Sequence, residues 1–267
     1  MSTPAPRTAE PTTGRSAPTM TLWRLEVARL VRTKRWMIVV GVFAFFGVVG
    51  PITARYINEI IARVGGGVEI VAPDARPVDG ILQFVGNTTQ LGVLAVVVVA
   101  ASALALDTKP ELAAFLRTKV ARPATLVIPP YAMSVAVSVI ALVIGTGLAW
   151  ALTAALIGAL PAGAMVVGTL YGALYLAFAV AVVALVVGYV RSQATAVFAA
   201  LGVLLLFPIV GVIDPVKPWL PSQLLTAIAA LIEGAGPGEF LRSAIVTVLA
   251  TAGLLALAAR RMQNREL

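Results

Sequence analysis

The sequence predicts an all-α integral membrane protein, with six transmembrane helices behind an N-terminal interfacial amphipathic helix and both termini cytoplasmic. Three observations lead there. Charge is absent from long runs, 36–54, 80–106, 123–190, 192–213, 218–232 and 243–259. The charged residues between those runs form clusters whose net sign alternates along the chain. The chain also contains neither Cys nor His. Bilayer hydrocarbon is about 30 Å thick and takes about 20 apolar residues as helix. The 68-residue run 123–190 therefore holds two spans with a turn between them, read at 158–163 from its glycines and Pro161.

Counting Lys and Arg against Asp and Glu gives +5 for residues 1–35, −1 between the first two spans and +2 for 107–122. The third hairpin carries no charge, Arg191 adds +1, residues 214–242 give −1 and the tail from Arg260 gives +2. These sum to the chain's +8. Basic flanks resist translocation, so the positive segments stay cytoplasmic. The high pI reports topology, and nucleic acid is not a partner.

In order, residues 1–18 hold four Pro among many Ser and Thr and read as a disordered cytoplasmic tail. Residues 19–35 read as an elbow helix on the inner membrane surface. Trp23, Val27, Leu30 and Val31 fall on one apolar arc at helical period, with Glu26, Arg29 and Arg32 off it. The competing reading is a basic flank of the first span. Because the first apolar segment starts at 36 and is long enough to span, it is read as a span and not a signal peptide. The transmembrane domain, 36–267, has spans at about 36–57, 83–106, 126–157, 164–190, 193–213 and 241–259. The 15-residue run 218–232 is too short to cross, so an external re-entrant or interfacial helix is expected over 221–233.

Between spans two and three, residues 107–125 form a cytoplasmic loop. Thr108 and Glu111 are spaced as a capping box with Pro110 in the first turn, and Leu112, Phe115 and Leu116 give the short helix an apolar face. Such a face needs a partner that a small loop cannot supply. The plainer alternative is an ordinary positive-inside turn.

Within the spans, Gln83, Asn87 and Gln90 share one face at i, i+4, i+7. The apolar remainder of that span, 91–106, is only about 24 Å long, so these amides enter the outer leaflet. They serve either helix–helix hydrogen bonds or a pathway. Ala164, Gly168 and Gly172 form a small-xxx-small series. Tyr171 and Tyr175 sit near that face, about 12 and 18 Å from Gly163, too deep for an interfacial belt. Their hydroxyls need a partner on another helix or in a substrate cavity. Pro208 is expected to kink the fifth span near its end.

Composition excludes several classes. Without Cys or His there is no thiol chemistry, no His metal site and no Ser-His dyad. No ionisable carboxylate or amine stands mid-span, of the kind that proton-coupled carriers and intramembrane hydrolases usually need. No Gly-Lys dipeptide occurs, so a P-loop is absent. The chain is therefore expected to be no enzyme, with no cofactor or metal of its own. Lys is scarce (4, against 16 Arg) amid abundant Ala, Val and Gly, the bias of a high-GC bacterial gene.

The order of parts resembles the permease subunit of type-2 ABC exporters: a basic amphipathic helix, then six spans with a Glu-bearing cytoplasmic loop after the second. Glu111, Phe115-Leu116, Thr118-Lys119 and Val120-Ala121-Arg122 follow that family's loop outline, while its Gly-Thr, the Pro before Val120 and the later Gly-Lys are missing. The resemblance implies a coupling helix over 111–122, with Glu111, Leu112, Phe115, Leu116, Arg117 and Arg122 seated in a separate ATP-binding subunit. It implies ATP and Mg2+ in that subunit, a second permease half, identical or homologous, a lipid environment and a bacterial plasma membrane. Uncharged spans point to an apolar or amphipathic cargo. A six-span scaffold or assembly protein, or an uncoupled channel, are the alternatives.

Overall fold

The computed structural model describes residues 19–64, 74–104, 124–190 and 192–263. Every regular element among them is helical. Six helices are long and apolar enough to cross a membrane, the pattern of a multi-pass membrane protein: Trp36–Arg55, Pro77–Leu104, Val127–Leu156, Ala162–Val187, Gln193–Val210 and Pro237–Arg261. They correspond one for one to the expected spans. Before them stands the helix Thr19–Thr33, separated from the first span by Lys34 in a left-handed conformation, φ 52°. That geometry is uncommon outside glycine and stops the helical hydrogen-bond ladder there.

Two boundaries differ from expectation. The second span begins at Pro77, six residues before residue 83. Local chemistry explains the early start. Arg76 is extended, its N–H donates to Asp79 Oδ2 at 2.7 Å, and Pro77 supplies a preset φ where no N–H is needed. Counting apolar residues misses this because the first turn is held by a cap and carries an acid. The same span is also interrupted by a π-helical turn, Thr88–Gly92, with Val93 N–H bonded to the Thr88 carbonyl. The sixth span starts at Pro237 because a short 3-10 turn, Pro237–Phe240, leads into the helix Leu241–Gln263. There Gly236 N–H donates to Glu239 Oε1 at 2.7 Å.

Span four is the centre of the bundle. In its most apolar stretch 56 % of residues are buried, against 17 % in span five and 22 % in span six. Spans two, three, five and six all pack against it. Spans one and three form the closest pair, meeting backbone to backbone where Gly145 lies over the Phe43 carbonyl. A glycine is required there because a Cβ on Gly145 would stand 2.7 Å from that oxygen. Lipid gives apolar helices little reason to associate, so close approach of small residues, with its dense dispersion contacts, supplies the attraction.

The uncharged run after span five forms the helix Gln223–Ile232, with Leu224, Ala227, Ile228, Ala229 and Leu231 buried. It packs mainly on span four and also on the start of span two. Gly168 accommodates it: an added Cβ would meet Ile228 Cα at 2.5 Å. Gly172, one turn on, faces Leu142 of span three. The small-residue series thus serves two neighbours. Gly234, at φ 104°, ends the short helix, and Ala235 N–H returns to the Ala230 carbonyl at 2.9 Å. Pro208 lies inside the fifth span near its end, where Gly211 N–H still reaches the Phe207 carbonyl at 2.9 Å.

Candidate functional site

The junction between the N-terminal helix and the end of span two is the first candidate. Arg29 Nη1 donates to the Ala103 carbonyl at 3.2 Å and Nη2 to the Ser102 carbonyl at 3.5 Å. Two charge-assisted hydrogen bonds from one guanidinium tie the N-terminal helix to the main chain of span two. Glu26 lies 3.7 Å from Arg29 on the adjoining turn. Burial pushes the Glu26 carboxyl above its ordinary range, and this outweighs the opposing attraction of Arg29. Glu26, Arg29, Leu30 and Trp36 line a small cavity with Ser102 and Ser134.

The elbow residues therefore divide. Leu30 packs against the core, while Trp23, Val27 and Val31 are exposed. The helix docks on the bundle through Leu30, Glu26 and Arg29 and turns most of its apolar arc outward. Sequence reasoning set Glu26 and Arg29 aside as the polar face. Their i, i+3 spacing signalled an ion pair, but nothing local identified the carbonyls that Arg29 reaches 73 and 74 positions away. The coupling positions Glu111, Leu112, Phe115, Leu116, Arg117 and Arg122 lie outside the described residues.

Of the polar span positions, Gln83 and Gln90 are exposed and Asn87 is half-buried, on a side of span two turned out of the bundle. Their amides reach no partner among the described residues. Tyr171 donates its hydroxyl to the Pro237 carbonyl at 2.8 Å, and its ring lies 5.6 Å from that of Phe240. It ties span four to the turn that opens span six. Tyr175 is 2 % exposed, packed beside Phe178, whose ring meets Phe207 edge-on. The two tyrosines thus serve different contacts, and neither they nor the three amides line the cavity at the centre of the chain.

That cavity lies among spans one to four and the helix Gln223–Ile232. Its walls include Phe43, Phe84, Leu142 and Leu225, and its polar lining is hydroxyl only, from Thr88, Thr89, Thr146 and Thr169. Thr88 and Thr146 are 6 % and 4 % exposed. Their positions in the sequence gave little notice, because isolated threonines in an apolar helix usually bond their own backbone. At the end of the bundle away from the N-terminal helix, Arg76 pairs with Asp79 at 3.3 Å and approaches Glu233 at 3.9 Å. This links the start of span two to the end of the short helix. Among the described residues no group of three or more acidic residues is placed to hold a metal ion.

Comparison with protein-family models gives no match, and comparison with curated proteins gives no significant match.

Proposed function

We propose that the chain is the membrane permease subunit of an ABC exporter in a bacterial plasma membrane. ATP, with Mg2+, binds and is hydrolysed in a separate cytoplasmic subunit, and two six-span halves, identical or homologous, form the pathway. The chain itself then carries no catalytic residue. One observation supports this reading above the others. The helix that precedes the spans is fastened by Arg29 to the end of span two, directly before the segment 107–125 expected to engage the ATPase. Movement imposed on that segment would reach the N-terminal helix and span two as one unit. The largely uncharged spans favour an apolar or amphipathic cargo, since a charged one would meet few compensating charges in the bundle.

Coexpression with a candidate P-loop ATPase, sought among the neighbouring genes, tests the proposal. The ATPase is expected to copurify, and to be lost when Glu111 and Arg122 are changed to Ala. Failure to copurify, or copurification indifferent to both substitutions, refutes it. Substrate flux through liposomes without ATP would instead identify an uncoupled channel.

A further inference from the structure

We propose that the cavity beside the π-helical turn of span two is a hydration site, in which one or two water molecules bridge the hydroxyls of Thr88 and Thr146. Both side chains line the same cavity, and neither oxygen has a hydrogen-bond partner among the described residues. Thr153 and Ser222 share this condition, but neither lines the cavity. Ser134, Ser138, Thr169, Thr247 and Thr251 each donate to the carbonyl four residues earlier, at 2.6–2.8 Å. Thr88 and Thr146 also lie in helices yet aim their hydroxyls away from that alternative.

For Thr88 the reason is local. Its methyl group is held toward Gly92, where an added Cβ would lie 2.9 Å away. The π turn places Gly92 there, and so turns the hydroxyl into the cavity. A buried hydroxyl in this position bears its full desolvation cost unless something bonds it.

Size and chemistry identify the occupant. The space open to the centre of a water-sized molecule is about 30 Å3, enough for one or two waters. No carboxylate or amine lines it, so a bound ion would lack a counter-charge. Purely apolar cavities stay dry, whereas this one offers several hydroxyls, within the two to four partners an ordered water needs. A π turn also departs from the α-helical ladder, a setting in which water commonly inserts.

A map of the full chain in nanodiscs, at about 2 Å resolution where buried waters are visible, tests the site directly. Density bounded by Thr88 and Thr146 is expected in the wild type and in T88S/T146S, and is expected to vanish in T88V/T146V. Thermal unfolding supplies a second readout. Either single valine leaves one hydroxyl without its bridge and should lower Tm by about 3 °C, while the double variant falls no further than the worse single one. A wild-type map showing ordered water elsewhere but none here overturns the proposal. Single-variant losses that add in full in the double variant overturn it too.

Discussion

Gly145→Ala and Gly147→Ala place the same methyl group on the same helix two residues apart, in opposite surroundings. At Gly145 the new carbon would stand 2.7 Å from the Phe43 carbonyl oxygen and 3.0 Å from its carbon, both backbone atoms of span one. Contacts under 3.0 Å essentially never occur and ordinary contact begins at 3.4 Å, so about 0.3–0.7 Å must come from parting two helices. No flexible side chain is available to yield. At Gly147 nothing lies within 4 Å. Both substitutions share the helix-propensity gain of alanine over glycine, about 1 kcal/mol, so it cancels in their difference. What remains is overpacking, about 1–3 kcal/mol. At roughly 2–4 °C per kcal/mol for a chain of this size, Gly145→Ala should unfold about 2–12 °C below Gly147→Ala. Thermal unfolding of the two purified variants in one detergent measures this. Equal midpoints, or a higher one for Gly145→Ala, would refute the backbone contact between spans one and three.

Three further outcomes follow from the contacts described. The Glu26 pKa is raised above 4.5 in the folded chain, so folding takes up protons there. Stability should therefore increase as pH falls from neutrality through that raised value, and level off once below the ordinary 4.5. Glu26→Gln should remove this contribution and be at least as stable as the wild type at neutral pH; an identical pH profile for both would contradict the burial argument. Tyr171→Phe keeps the ring against Phe240 but loses the 2.8 Å bond to Pro237, a loss of about 1 kcal/mol, or 2–4 °C in Tm. Arg29→Ala should raise hydrogen exchange in Thr19–Thr33 and at the end of span two together. A rise in one segment alone would show that the guanidinium does not join them.

The six spans were legible because each is a property of its own residues. Long uncharged runs, flanked by charge clusters and divided at 158–163 by Pro161 and its glycines, specify helices of membrane-crossing length without reference to any neighbour. The cap that moves the second span to Pro77 was legible too, in Pro77 and Asp79. It was passed over because hydropathy weighs the interior of a helix and not its first turn. The π turn had no comparable signature. Thr88–Gly92 reads as ordinary helix, although in the folded chain Phe43 of span one and Thr88 take up the space a side chain on Gly92 would fill.

Sequence by itself thus determined how many membrane-crossing helices the described residues form and where most of them begin and end. Tertiary structure alone decided which faces of those helices meet. Hydropathy cannot distinguish a side chain facing lipid from one facing another helix, because both surroundings are apolar. Hence Gln83 and Gln90 could be placed on one face but not assigned to the outside. Hence also Arg29 and Glu26, polar residues on an amphipathic helix, became its attachment to the bundle. The partners of Arg29 are backbone carbonyls, which every residue carries and no sequence pattern distinguishes.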